Sequence, residues 1–407
     1  MKIERQEMVF NGGPFQSYWW ADEHEPVHPA IRARLDHAVD PGTLEEAWEQ
    51  TKKVYPVIDL IPDDEDEEIL FWQGSGSGRP VRSRIPVRPA GEAALFRGFT
   101  LTWFEDTVTL SCYHSLADEH GLNEIFRTLL ARYFSLRLDT PPDSGVMLKE
   151  GRRPEEYFIQ NTMLPAAGFT PQPVMLYRDI REIFLDESIA NEEGSAGTMG
   201  VVTVPYRAWE ALAEKVHASS ETLLFSLLAG MIHEMYPGDG RKLCFGAMTD
   251  FRETFSVPET IAPCSKKMPV ILDREEIAGH STEEVAAKIG LIRAEQLKPD
   301  YIRSHVAMEN TYSVLNIRNA CFSLQFSGRF DIGEHTKHIL DIAMRDYSIR
   351  TAFMIRLGEE LKISFQFGNA TGKYMTAFAA ALDRLGVSAG GTAGPALIPA
   401  EAEQPAV

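Results

Sequence analysis

Nine consecutive residues, Tyr113-His114-Ser115-Leu116-Ala117-Asp118-Glu119-His120-Gly121, bring two imidazoles and two carboxylates together. A neutral imidazole can take the proton from an attacking hydroxyl or amine, a role that gives about 10²- to 10⁴-fold in rate. The same side chains also suit a divalent metal, and a histidine at a strand end is often a hydrogen-bonded core residue. No metal site is expected here. His120 reads as an exposed residue of a first helical turn, its alternative being to act as base in place of His114. Ser115 is not in the G-x-S-x-G turn that exposes a hydrolase nucleophile, so serine hydrolysis is set aside.

The flanking residues say how these groups are held. Phe99–Trp103 and Val108–Tyr113 alternate as two antiparallel strands joined through Phe104–Thr107. Period-two alternation puts Val108, Leu110, Cys112 and His114 on one inward face. From Gly121 onward, Leu122, Ile125, Phe126, Leu129, Leu130 and Tyr133 recur at the spacing of a helix lying on a sheet. His114 to His120 is therefore a strand-to-helix turn.

Elsewhere, Thr43-Leu-Glu-Glu46 has capping-box spacing and predicts a helix from about Thr43 to Val54. Polar and glycine-bearing residues from Asp186 to Gly200 suggest a connection, so lobes are expected at 1–190 and 191–386. In the second half, strands are expected at 201–204, 243–248, 322–326, 351–355 and 361–367, with helices at about 221–235, 282–297 and 372–385. Residues 387–407, rich in Gly, Ala and Pro, read as a disordered tail.

Composition narrows the function. With 44% hydrophobic residues the 407-residue chain can bury a large core. Asp and Glu outnumber Lys and Arg by 59 to 40, and the net charge of −19 repels nucleic acid. An anionic donor would need a local basic patch to override that field. The four cysteines lack C-x-x-C spacing, which fits a reducing cytoplasm rather than a zinc or disulfide framework. Charges in the opening residues interrupt any signal core and no apolar run is long enough to span a bilayer, so neither secretion nor a membrane span is expected.

His114-Ser-Leu-Ala-Asp118 resembles the core of the H-H-x-x-x-D-G motif of condensation domains and the H-x-x-x-D-G motif of related acyltransferases. Further similarity lies in Phe245-Gly-Ala-Met-Thr-Asp-Phe-Arg252, in Pro263-Cys-Ser-Lys-Lys-Met-Pro269, and in Ser323-Leu-Gln-Phe-Ser-Gly328. Together these landmarks resemble the condensation-domain and chloramphenicol-acetyltransferase superfamily over roughly residues 10 to 386. The resemblance implies an α/β fold with mixed sheets: two chloramphenicol-acetyltransferase-like lobes in a V-shaped pseudo-dimer with a central tunnel.

It further implies an acyltransferase that moves an acyl group from a coenzyme A or carrier-protein thioester to a hydroxyl or amine, in small-molecule or peptide natural-product biosynthesis. His114 would be the general base, and Asp118 a structural acid paired with Arg252. No tightly bound cofactor is implied; acyl-CoA or a phosphopantetheine thioester is the co-substrate. The partners are a small-molecule or peptidyl acceptor and, as the second donor option, an acyl or peptidyl carrier protein arriving in trans.

Tyr113, Glu119, Gly121, Arg252, Lys266, Lys267 and Ser327 are the candidate substrate- and donor-binding residues. The two lysines supply local positive charge or are an ordinary solvated pair. Tyr113 stands where condensation domains have their first histidine, and Glu119 stands where the family has glycine. Either Glu119-His120 is an insertion that leaves the glycine's role to Gly121, or Glu119 points into solvent, or it obstructs the donor arm. The alternative to catalysis is a catalytically altered or inactive condensation-like binding module.

Overall fold

The computed structural model describes residues 8–10, 29–63, 69–73, 79–82, 98–114, 116–141, 169–177, 180, 182–186, 189, 199–308, 322–345 and 350–392. They form a mixed α/β protein of two compact units. The first comprises Met1–Leu164, Phe255–Cys264 and Arg329–Tyr347; the second comprises Pro165–Thr254, Ser265–Gly328 and Ser348–Val407. This division differs from the single boundary expected near 190: it falls between Leu164 and Pro165, and two later segments group with the first unit.

Alternation builds the first unit's five-stranded sheet, whose order is Ile339–Arg345, Ala30–Leu35, Thr107–Cys112, Phe99–Phe104, Val81–Arg82. Met344, Ile31, Leu110 and Leu101 stand in one row across four antiparallel strands, and all are buried. The expected hairpin is present with a two-residue turn: Phe104 pairs with Thr107, and Glu105 takes the left-handed conformation at φ 54. Only the terminal pair, Val81–Arg82 with Phe99–Phe104, runs parallel. A separate three-stranded sheet joins Met8–Phe10, Ile69–Gln73 and Leu60–Asp63.

Among the described residues, two α-helices cover this unit. Pro41–Val54 begins two residues before the expected start, because Asp40 rather than Thr43 is the cap: Thr43 N–H donates to its Oδ1 at 2.7 Å. Glu119–Leu138 lies over strands Ala30–Leu35 and Thr107–Cys112 and against Pro41–Val54. Its expected stripe, Leu122, Ile125, Phe126, Leu129, Leu130 and Tyr133, is wholly buried. Each such side chain contributes roughly 1.5–3 kcal/mol of apolar burial, which fixes the helix, and with it the turn before it, on the sheet.

The second unit's seven-stranded sheet has the order Ser265–Leu272, Leu243–Asp250, Phe322–Phe330, Thr351–Leu357, Glu360–Gln366, Met199–Pro205, Gly390–Thr392. Phe322–Leu324 runs parallel to Phe245–Ala247, so this sheet is mixed as well. Phe245, Val270, Leu324 and Phe365 pack with helical residues Leu228, Ile289 and Phe378 in one apolar cluster. Within the stretch read as a tail, Val387 is buried and Gly390–Thr392 pairs with Val201–Thr203, whereas 393–407 lie outside the described residues. Among the described residues, no helix is long and apolar enough to cross a membrane.

Candidate active site

The turn carrying His114 is built from backbone hydrogen bonds. Tyr113 N–H donates to Gly98 O at 2.8 Å, and Tyr113 O accepts from Leu116 N–H at 3.0 Å and Ala117 N–H at 3.4 Å. Cys112 Sγ lies 3.7 Å from Ala117 O. The strand thus curls once before the helix starts, and Tyr113 and His114 are both buried, His114 at 1% exposure. Ser115 lies outside the described residues, and His120 is exposed, as expected of a first-turn residue.

Asp118 is the helix cap. Its backbone is extended, at φ −83 and ψ −176, and its Oδ1 accepts Gly121 N–H at 3.0 Å. Its Oδ2 accepts Cys264 N–H, also at 3.0 Å, so one buried carboxylate both starts the helix and docks the 255–264 segment. Gly121 completes the docking. A Cβ there would lie 2.1 Å from Ile261 O, so only glycine admits this approach.

Glu119 neither points into solvent nor stands apart from the histidine. It is 4% exposed, and its Oε1 lies 3.6 Å from His114 Nε2. His114, Asp118, Glu119 and Gly121 are thus gathered in one corner of the first unit, with Tyr113 forming the turn behind them.

The remaining candidates belong to the second unit. Arg252 is buried just after strand Leu243–Asp250, its backbone N–H and Nη1 donating to Asp250 Oδ1 at 2.9 and 3.1 Å. Lys266 and Lys267 are buried rather than solvated. They are neighbours on strand Ser265–Leu272, so they face opposite sides of the sheet and do not form a two-lysine patch. Lys267 shares the face of Gly246, where Tyr177 and Ser323 also lie. Ser327 is part-exposed beside Gly328, which has φ 70. Among the described residues no group of three or more His, Cys, Asp or Glu is placed to hold a metal ion.

Two contributors escape a sequence reading: Cys264, through its N–H, and Ile261, through its carbonyl. A backbone group leaves no side-chain signal; the nearest hint was the Pro263-Cys-Ser landmark.

Comparison with solved structures places the fold. Over 95% of this chain and 100% of the other, it is similar to Fusarium graminearum TRI101 complexed with coenzyme A and T-2 mycotoxin, at TM-score 0.63 and 12% identity. Polyketide synthase associated protein 5 from Mycobacterium tuberculosis gives TM-score 0.63 and 12% identity over 93% of this chain and 98% of that one. The epimerization domain from the third module of tyrocidine synthetase B gives 0.58 and 13% over 94% and 96%. No family model and no curated protein sequence matches the chain. The chain shares the fold of these structures, the kind of fold that the sequence landmarks led one to expect.

Proposed function

We propose that the chain is an acyltransferase that moves an acyl group from a coenzyme A or phosphopantetheine thioester to a hydroxyl or amine, with His114 as general base. The observation that carries this reading is the division of labour at the turn. Both oxygens of Asp118 accept backbone N–H groups, which suits a structural acid, while His114 continues the inward strand face. The fold adds support, since TRI101 was solved with coenzyme A and a mycotoxin.

In the proposed step the acceptor O–H or N–H gives its proton to the imidazole as the heteroatom attacks the thioester carbonyl. The tetrahedral intermediate then breaks its C–S bond, and the departing thiolate takes the proton from the imidazolium. Ester or amide forms, free thiol leaves, and the base is regenerated. Tyr113, in the same unit as His114, is the group proposed to border the acceptor. Buried Cys112, Cys244 and Cys264 suit a reducing compartment.

One observation favours a second reading, a binding body without turnover: His114 and Glu119 are both almost fully buried. Thiol release separates the two. Purified protein is offered a panel of acyl thioesters and acceptors, and His114→Ala is expected to lower turnover by about 10²- to 10⁴-fold. Thiol release absent from wild type and variant alike would favour the binding body, and equal non-zero rates would remove His114 as the base.

A further inference from the structure

The five-stranded sheet of the first unit has two unlike faces. Its row Met344, Ile31, Leu110 and Leu101 is apolar and buried. Side chains alternate along a strand, so the rows on either side of it belong to the opposite face. One is Arg345, Ala30, Ser111 and Thr100, and the other is Ala343, Arg32, Thr109 and Thr102. These positions hold two arginines and no carboxylate. Arg345 pairs with Ala30 and Arg32 with Ala343, so the arginines stand diagonally, roughly 7–8 Å apart, with alanine at the other two corners.

Among the described residues, neither Arg32 nor Arg345 has a hydrogen bond or an ion pair, and Arg345 Nε is buried without an acceptor. Both residues keep partial exposure, so they are not closed off from solvent. Burial pushes each guanidinium down to about 10. For Arg345 no neighbouring charge counters that effect; for Arg32, Asp341 opposes it, the exposed Arg34 adds to it, and Asp106 opposes it. A desolvated cation without a counter-ion costs stability, and a bound anion would offset that cost. The net charge of −19 repels anions at long range. Within a screening length of about 8 Å, however, the local groups decide, and here Arg32, Arg34 and Arg345 outnumber Asp341 and Asp106.

A guanidinium is a planar fork of N–H donors that meets phosphate oxygens in pairs. We propose that Arg32 and Arg345 form a binding site for a doubly charged phosphate group on the polar face of this sheet. Each arginine donates to different oxygens of one phosphate, and Thr109, opposite Arg32, adds a hydroxyl donor. Ser111 is not part of the set, because its hydroxyl donates to Thr100 O at 3.4 Å. The site does not depend on His114 or on the proposed acyl transfer.

The test is titration calorimetry of the full-length protein with inorganic phosphate at about pH 8, below the arginine values, with chloride at equal ionic strength as the control. Wild type is expected to bind phosphate saturably. Arg345→Gln and Arg32→Gln should each weaken binding at least about tenfold, as loss of charge-assisted hydrogen bonds does. Arg345→Lys, which keeps the charge and loses the fork, should fall between. Arg384→Gln removes the same charge from an exposed position in the second unit and should change affinity less than about twofold. Thermal unfolding gives a second readout: phosphate should raise the midpoint of the wild type and leave that of Arg345→Met unchanged. Glycerol 3-phosphate distinguishes the source, since tighter binding than phosphate marks an organic ester as the occupant and weaker binding marks the free ion. No saturable phosphate binding by wild type overturns the proposal. So does equal weakening in Arg384→Gln, or a folded Arg345→Met that phosphate still stabilises.

Discussion

Asp118 Oδ2 accepts the backbone N–H of Cys264 across 146 residues of sequence, and the same carboxylate caps the helix that begins at Glu119. The acid of the motif is thus a joint between two distant stretches of chain. Asp118→Ala leaves two backbone donors buried without their acceptor and is expected to destabilise by about 1–3 kcal/mol for each of them. Asp118→Asn keeps one acceptor oxygen but turns an N–H₂ toward a donor, for about 1–3 kcal/mol. Urea midpoints of both variants check this order; an Asp118→Ala protein as stable as wild type would contradict the joint.

Gly121 gives a second, independent check. Helical glycine replaced by alanine ordinarily gains up to about 1 kcal/mol, and Gly230 and Gly290, each with nothing within 4 Å of an added Cβ, are expected to show that gain. At Gly121 the same change puts a methyl 2.1 Å from Ile261 O. Crowding against backbone is expected to reverse the sign, destabilising by about 1–3 kcal/mol. Melting temperatures of the three alanine variants should therefore fall on both sides of the wild type.

These two residues also mark where sequence and structure part. The stripe from Leu122 to Tyr133 is legible because a period of 3.6 is written in side chains, and all six of its residues are buried. The inward face ending at His114 is legible for the same reason at period two. The docking of Ile261 and Cys264 is written in backbone groups and in a glycine's missing Cβ, so it shows only in three dimensions. Strand Ile339–Arg345, paired with Ala30–Leu35 three hundred residues earlier, breaks its alternation at a register shift between Ile339 and Asp341. Pro269 obscures strand Ser265–Leu272, and the sheet tolerates it there because that strand lies at an edge. Once that strand is known, alternation alone separates Lys266 from Lys267.

Asp36 predicts how the first unit responds to acid. Its carboxylate accepts from Nδ1 of His37 at 2.5 Å and of His338 at 2.8 Å, joining the end of strand Ala30–Leu35 to the turn at 335–338. Burial pushes this carboxyl upward, but the hydrogen bonds from His338 and His37 outweigh it and hold it below its ordinary value. A carboxyl lowered by folding stabilises above its unfolded pKa, and that contribution is lost as pH falls through the lowered one. With 37% of the side chain exposed, solvent screens the effect and keeps it small. Wild type is thus expected to exceed Asp36→Asn in urea midpoint at neutral pH, with the difference shrinking below about pH 4, near the unperturbed aspartate value. A difference that grows on acidification would overturn this account.

The opposite sign is expected at Tyr374. Its hydroxyl donates to Asp186 Oδ2 at 2.5 Å, and Tyr236 O–H donates to the same oxygen, with Lys373 Nζ 3.8 Å away. Burial, reinforced by the hydrogen bond to Asp186, raises the Tyr374 phenol far above its usual range. A phenol raised by folding stabilises fully below the unfolded pKa of about 10 and loses that contribution above it, because only the unfolded chain releases the proton there. Tyr374 should therefore stay silent in an alkaline phenolate titration until the second unit unfolds, and then appear together with the loss of helical signal. Tyr374→Phe removes one hydrogen bond to a charged group and should lower stability at pH 7 by about 1.5–3 kcal/mol, while the drop in wild-type stability above pH 10 becomes shallower in the variant. Phenolate absorbance that rises by one tyrosine before unfolding, in the wild type but not in Tyr374→Phe, would show that the hydroxyl ionises in the native state and that Asp186 does not hold it.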